Sequence, residues 1–407
     1  MSSTSVRPIK SHSRARASSK TSTTGAVTPT TGVQVTPVRS TLELDEFIRF
    51  QLELYRDDPY FVPPIVAERR DFLNRKKNPF FTHAEVELFL ARRNGQVVGR
   101  IAAIDDALWN QFHNSETGFF GMFDAPNDPE VANALLDAAA GFARSRGMKT
   151  LTGPVNLSTN HDCGVLIDGF EFPPAMMMPY NYRYYGGLLE GWGLQKMRDL
   201  YAYDISAAMT PPEKMVRIAD RLKESEQVRV RPLNIHDLPE EIRRLKSIYN
   251  AMLDRNWLFL PMNEEEFDSI TARLRPLVRV RPELCLIAEV KGEPVAFCIT
   301  LPDSNVAIRE AGGQLTRWGL PVGLVKMAWA ARRIERLRVL LFGIKPGYRR
   351  RGLDALLGIE TLRAARRLGY EGAELGWTTE DNELMNRAIE SIGARRYKTY
   401  RIYEKAL

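Results

Sequence analysis

Beyond residue 34 the spacing of apolar and polar positions switches repeatedly between a two-residue and a 3.6-residue period, which predicts strands and helices in alternation. Val35–Val38 reads as a short strand, and Ser40 or Thr41 can cap a helix running through Tyr55. Glu85–Arg92 and Val97–Ile104 flank Asn94-Gly95, a two-residue turn suited to a tight hairpin. Gly118–Phe123 has the continuous apolar character of a buried strand. Asp128 and Pro129 then open a helix that reaches Arg146 and stops at Gly147. Leu188–Lys196 leads into a closing strand, Leu200–Ile205.

The same succession returns downstream. Val228–Leu233 is a strand, and Asp237 can cap a helix from Pro239 to Leu253. Leu284–Val290 and Pro294–Leu301 form a hairpin about Lys291-Gly292. Val339–Ile344 precedes a helix over Leu353–Leu368 stopped by Gly369, and Ala388–Arg396 leads into Tyr397–Tyr403. Matching elements in one order predict a tandem repeat of an α/β (α+β) domain. Residues 35–206 and 207–407 are the two copies, joined near Ser206–Val228, and each has a mixed, mostly antiparallel sheet flanked by helices. The Ser/Thr-rich segment 1–34 has almost nothing to bury and reads as a disordered tail.

Composition adds limits. The 407 residues are 44% hydrophobic, with six Trp and eighteen Phe, enough for substantial cores. The net charge of +7 is uneven: residues 1–40 carry six cations and no acid, and residues 317–351 carry ten cations and one acid. The rest is therefore acidic, and overall basicity is no argument for nucleic-acid binding. Three scattered cysteines make no disulfide framework, and the five histidines show no metal-ligand spacing. No eighteen-residue apolar run exists and no apolar segment follows the basic start, so a cytoplasmic protein is expected.

The second half carries the clearest chemistry. Lys345-Pro-Gly-Tyr-Arg-Arg-Arg-Gly-Leu-Asp354 joins an apolar strand to a helix, and Asn382 follows at the head of the next helix. Backbone N–H groups at a helix mouth, with a glycine for close approach and Arg349–Arg351 for charge, form a pyrophosphate cradle. This run resembles the GNAT acyltransferase superfamily. The resemblance implies GNAT-like domains, acyl-CoA as co-substrate and no permanently bound cofactor. It implies acyl-CoA contacts from Ile344, Gly347, Tyr348, Arg349, Arg350, Arg351, Gly352 and Leu353, with Asn382 beside the pantetheine arm. Two positions depart from the family pattern. Asp354 stands where a small residue is usual, and Ile389 falls where many members carry a proton-donating tyrosine; Tyr397 and Tyr400 lie nearby in sequence. The first half lacks the cations: its loop is Asp124-Ala-Pro-Asn-Asp-Pro, with Leu189 at the tyrosine position. Acyl-CoA is therefore expected in the second half only.

The first half is polar elsewhere, in Gly153-Pro-Val-Asn156-Leu-Ser-Thr-Asn160-His161-Asp162-Cys163-Gly164 and Pro179-Tyr180-Asn181-Tyr182-Arg-Tyr184-Tyr185. Asn156, Asn160 and Asp162 share one parity, and an extended segment would turn them toward one pocket. Together with Tyr180, Asn181 and Tyr184 they are the expected acceptor contacts. His161, Asp162, Glu380 and Asp381 are candidate bases, since an attacking ammonium must first lose a proton, and Tyr397 is a candidate acid. These segments, with Asp57–Pro64 and Asn78–His83, resemble the bacterial tandem-GNAT family that includes ceramide synthases. That resemblance implies N-acyltransfer from acyl-CoA to a sphingoid base. A small-amine acetyltransferase and a catalytically silent acyl-CoA-binding regulator are the alternatives. Residues 315–338 are apolar and basic together. They suit either a core-packing helix or peripheral contact with the cytoplasmic face of a membrane, and no motif for reading nucleic acid accompanies them.

Overall fold

The computed structural model describes residues 32–225, 227–252, 260, 262–316 and 319–407. The tail up to residue 31, the helix end expected at Leu253, and Trp318 lie outside the described residues.

The first half runs β1 (Gln34–Pro37), α1 (Thr41–Leu54), α2 (Val66–Phe72), β2 (Ala84–Arg93), β3 (Gln96–Asp106), α3 (Ala107–His113), β4 (Thr117–Asp124), α4 (Pro129–Ser145), β5 (Thr150–Gly153), β6 (Val165–Asp168), α5 (Tyr185–Gly191) and β7 (Gln195–Ser206). The second runs α6 (Glu213–Lys223), β8 (Val228–Pro232), α7 (Leu238–Met252), α8 (Glu264–Val280), β9 (Cys285–Val290), β10 (Glu293–Pro302), α9 (Asn305–Ala311), α10 (Val322–Ala330), β11 (Arg336–Ile344), α11 (Leu353–Arg367), β12 (Gly372–Thr379), α12 (Glu383–Ser391) and β13 (Arg395–Ala406).

Local signals explain where these elements begin and turn. Ser40 and Glu43 close a capping box on α1, and Asp128 accepts from the first N–H groups of α4. Both hairpin turns take positive φ at their two central residues, 52° and 79° at Asn94-Gly95 and 54° and 83° at Lys291-Gly292. Asn234, rather than Asp237, accepts at the entry to α7, through a short 3₁₀ turn over Ile235–Asp237. The basic apolar stretch is not one helix. Gly319 in the left-handed region and Pro321 break it, so α10 spans only Val322–Ala330. Arg336 and Arg338 belong to β11, and Arg338 is buried.

The described strands form one 13-stranded sheet in the order β1-β2-β3-β4-β5-β13-β7-β12-β11-β10-β9-β8, with β6 also on β13. This order reads the same from either edge once each strand is matched with its counterpart in the other half. The closing strands are exchanged: β7 lies between β13 and β12, and β13 lies between β5 and β7. Among the described strands only β4–β5 and β11–β12 pair in parallel. On the front face α1 and α2 cover the first half, and α7 and α8 the second. The back carries α4 and α5, then α6, α11 and α12.

One ion triad ties the halves together on the front. His83 Nδ1 is 3.0 Å from Asp106, the N-cap of α3, and Nε2 is 3.2 Å from Glu266 of α8. Burial alone would lower the imidazole's pKa, but the hydrogen bond to Asp106 and the close approach of both carboxylates raise it from 6.5 to about 9. A raised folded pKa stabilises fully below the unfolded value and loses that stabilisation as pH climbs through the folded one. We predict that wild-type melting temperature falls between pH 6.5 and 9.5 by an amount worth up to about 3 kcal/mol, and that His83→Gln flattens this slope. Parallel melts of the two proteins across that window would refute the assignment.

Candidate active site

The second half opens at the centre of the sheet. β11 and β12 pair from Arg336 with Gly372 to Val339 with Leu375 and then part. From Leu341 to Ile344, β11 remains bonded to β10, but it pairs with no strand on its other side among the described residues. Leu341 is 37% exposed and Gly376–Thr378 are half-buried, although both strands are interior to the sheet. A strand edge of this kind turns alternate N–H and C=O groups into the cleft.

Behind the cleft lies the expected phosphate loop. A 3₁₀ turn over Pro346–Tyr348 leads to Arg350 at φ 60° and Gly352 at φ 83°, where α11 begins without a side-chain cap. Its first-turn N–H groups are thus left without a side-chain acceptor. Gly347 and Arg349–Arg351 are exposed, and Leu353 is buried. Arg349 Nε donates to the Ile344 carbonyl at 3.4 Å, Arg351 stands 5.1 Å over the Tyr348 ring, and the Tyr348 hydroxyl donates to Glu293 at 3.0 Å. Gly352 has a further role: a Cβ there would lie 2.5 Å from Ile218 of α6. Asn382 caps α12, accepting from the Met385 N–H at 3.3 Å. Ile389 is packed against Tyr203 and Ala394 and offers no proton.

The corresponding opening in the first half is filled by the chain itself. β4 and β5 pair only from Thr117 with Thr150 to Phe119 with Thr152. Pro154–Asn156 then occupies the gap: the Val155 N–H donates to the Phe120 carbonyl at 2.7 Å, and the Asn156 side chain accepts from the Met122 N–H at 2.7 Å. Gly121 permits the fit, since a Cβ there would lie 2.0 Å from the Val155 oxygen. Asn156 is therefore a plug residue, engaged by β4, rather than one of a convergent trio with Asn160 and Asp162.

On the front, at the floor of the open cleft, lies a buried ionic cluster of which sequence reasoning named only Tyr397. Arg338 and Glu374 face each other across the β11–β12 pairing, with Nη1 donating to Oε1 at 2.7 Å. The Tyr397 hydroxyl donates to the other Glu374 oxygen. A register shift between Arg396 and Lys398 bulges β13 and lets Tyr397 and Lys398 reach the same face. Lys398 Nζ donates to the Pro173 carbonyl at 2.6 Å, and burial lowers its pKa to about 8. Asp303 accepts from the Met176 N–H at 2.9 Å, with burial raising its carboxyl to about 6. Arg338 Nε and Tyr400 Oη are buried with no hydrogen-bond partner among the described residues. Buried polar groups of this kind call for an explanation, a functional role being one. One signal was visible in the sequence: Glu374 is the single charge of its strand, and Arg338 stands inside an apolar run that continues to Ile344.

The remaining expected residues are dispersed. Asn160 accepts from the Tyr249 hydroxyl at 3.1 Å, bridging to α7. Asp162 stands 3.5 Å from Arg69. His161 bonds Ser158 at 3.0 Å, and burial, with the Arg273 and Arg69 charges, drops its pKa to about 3, too low for an efficient base at neutral pH. Asn181 bonds both the N–H and the carbonyl of Leu166, Tyr180 donates to Asp58 at 3.0 Å, and Tyr184 donates to the Ala125 carbonyl at 2.9 Å. Glu380 accepts from Lys196 at 2.7 Å and from the Asp199 N–H at 3.0 Å, while Asp381 pairs with Arg198 at 2.5 Å.

No family model matches the chain. It is 36% identical over 382 residues to bacterial ceramide synthase of Caulobacter vibrioides, covering 92% of this chain and 98% of that protein. It is also 36% identical over 374 residues to protein YghO of Escherichia coli, covering 90% and 93%. Among solved structures it is similar to a tandem GNAT protein from the clavulanic acid biosynthesis pathway, with a TM-score of 0.54 at 13% identity, covering 92% of this chain and 98% of that one. A GCN5-related glucosamine N-acetyltransferase region of a fungal β-N-acetylglucosaminidase gives 0.53 at 14% identity, covering 93% of this chain and 38% of that one. These two likenesses concern the fold.

The plugged first cleft makes a testable claim about stability. We predict that Gly121→Ala, which sets a methyl against the Val155 backbone, costs roughly 3 kcal/mol in urea or thermal unfolding. Gly141→Ala on α4, where nothing lies within 4 Å, is expected to be neutral or stabilising. Equal effects at the two sites would argue against a plug held by close backbone approach.

Proposed function

The chain belongs to the tandem GNAT acyl-CoA N-acyltransferase family that includes bacterial ceramide synthase, and we propose that it moves a long-chain acyl group from acyl-CoA to the amine of a sphingoid base, yielding a ceramide-type amide. N-acyltransfer follows from the family; the chain length and the lipid amine are the proposal. One observation carries the choice of site. Of two equivalent clefts the first is filled by Pro154–Asn156, while the second has an unpaired β11 edge above a buried ionic cluster.

In this reading the pyrophosphate of acyl-CoA rests on Gly347–Leu353, within reach of Arg349, Arg350 and Arg351, and the pantetheine arm passes Ile344 and Asn382. The thioester carbonyl enters the cleft, where β11 N–H groups polarise it. The acceptor arrives from the front, past Asp162 and Tyr400. Arg338 and Lys398 disfavour its ammonium form, so it sheds one proton to water before reacting. The neutral nitrogen attacks the carbonyl carbon and forms the N–C bond. Tyr397 takes the proton from that nitrogen while passing its own to Glu374. The C–S bond then breaks, and the proton returns through Tyr397 to the departing thiolate, leaving amide and thiol. This pair suits the role better than Glu380, whose oxygens are engaged by Lys196 and the Asp199 N–H.

Pure protein incubated with acyl-CoAs of graded length and sphinganine should release thiol and form amide in equal amounts, fastest with long chains, read by thiol titration and mass spectrometry. Thiol release without amide would sink the reading, and an exclusive preference for acetyl-CoA with a small soluble amine would replace it. Arg349→Ala and Arg351→Ala should each raise the KM for acyl-CoA roughly tenfold with little change in kcat. Glu374→Gln and Tyr397→Phe should lower kcat by about 10²-fold or more while acyl-CoA still binds. Unchanged kcat in both variants would remove the Tyr397–Glu374 pair from the mechanism.

A further inference from the structure

Helix α10 is built inside out. Its buried positions are the small residues Gly323 and Ala330, while Leu324 is 42%, Val325 64% and Trp329 52% exposed, with Leu320 just before the helix at 61%. Gly323 seats the helix tightly, since a Cβ there would lie 1.8 Å from the Gln314 carbonyl. A helix that packs on the core buries its large apolar residues, so this one is turned the other way. At 100° per residue Leu324, Val325, Ala328 and Trp329 share an arc of roughly 140°. Lys326, Arg332 and Arg333 are exposed beside it, and the Arg333 guanidinium lies 3.5 Å over the Trp329 ring. Residues 322–333 contain no carboxylate.

We infer that α10 docks the protein on an anionic lipid bilayer, with Leu324, Val325 and Trp329 in the headgroup boundary and Lys326, Arg332 and Arg333 on lipid phosphates. The helix is too short to cross a bilayer, and no described helix is long and apolar enough to do so. Charge separates a membrane from a second copy of the chain: a symmetric contact through the Leu324–Trp329 face would bring two sets of Lys326, Arg332 and Arg333 together, and the helix itself supplies no acid to offset them, the neighbouring Glu310 lying in the groove on its Gly323 side. Position fits as well. The segment 303–338 begins at Asp303 and ends at Arg338, both in the front cluster, and Asn305 donates to the Pro174 carbonyl at 2.8 Å. Gly313 accepts from the Val66 N–H at 3.0 Å, bringing α2 alongside. A lipid entering beside α10 therefore reaches the acceptor side of the cleft. The inference rests on the lipid-substrate reading for its purpose, though its test does not require turnover.

The test is co-sedimentation of the full chain with vesicles of phosphatidylcholine alone or with about 30% phosphatidylglycerol. Wild type should partition onto the anionic vesicles at least tenfold more strongly than Val325→Ser/Trp329→Ser or Lys326→Glu/Arg333→Glu. Both variants should acylate a short-chain, water-soluble amine within twofold of wild type. Wild type remaining in the supernatant at low ionic strength would overturn the inference. So would variants that bind as well as wild type, variants that lose the soluble-amine rate, or self-association abolished by Trp329→Ser without vesicle binding. Vesicle binding without amide formation by wild type would instead remove the proposed reaction and leave the docking surface standing.

Discussion

The pairing of β7 with β13 is the contact on which the rest of the molecule depends. It joins the closing strands of the two halves along nearly their full length, from Arg395 with Asp204 to Glu404 with Gln195. Through it β7 becomes the central-side neighbour of β12, so a strand of the first half supports the cleft of the second. Through it β13 brings Tyr397, Lys398 and Tyr400, from the end of the chain, to the front of that cleft. The hydrogen-bonded units are therefore not those that follow in chain order, and neither cleft is complete within one continuous segment.

This exchange makes the two clefts equivalent in topology and leaves side chains to make them different. In the first half Gly121 allows the backbone of Val155 to approach β4, and Asn156 supplies the acceptor that a ligand carbonyl would otherwise provide. The buried Arg100–Asp124 pair and Tyr185 then stand where the second half has its exposed arginine loop. Among the described residues of the second half no segment follows that path: β12 continues through Gly376–Thr379 and pairs away toward β7. One half thus fills its cleft and gains packing. The other keeps an open strand edge and a buried ion pair, whose desolvation is unfavourable unless its polar groups find partners.

Sequence disclosed what is decided locally. Hairpins at Asn94-Gly95 and Lys291-Gly292, the caps at Ser40 and Asp128, and the Arg349–Gly352 loop depend on residues within one turn of each other, so their spacing announces them. The exchange of β7 and β13 leaves no such mark, because either strand has the same pattern whichever neighbour it pairs with. The Arg338–Glu374 pair spans 36 positions, and it becomes a site only when a bulge at Tyr397 adds a third member. Asn156 and Asn181 misled for the opposite reason. An asparagine in a loop suggests ligand contact, but these two complete backbone hydrogen bonds that would otherwise go unmet in the interior.

The charge between residues 317 and 351 shows why a sum over a segment is a poor guide to function. Arg338 is buried against Glu374, Arg336 pairs with Asp204, and Lys345 pairs with Glu293 at 2.8 Å. These three hold strands together and offer little field to solvent. Apart from the paired Arg336, the exposed cations among the described residues fall into two groups at opposite ends of β11: Lys326, Arg332 and Arg333 before it, and Arg349–Arg351 after it. A strand rises about 3.3 Å per residue, so the nine residues of β11 separate the groups by roughly 30 Å, several Debye lengths at physiological salt. They cannot act as a single basic patch on a continuous polyanion. An anion at one group would be held without help from the other, since one lies beside the apolar face of α10 and the other at the N-terminus of α11, with the cleft between them.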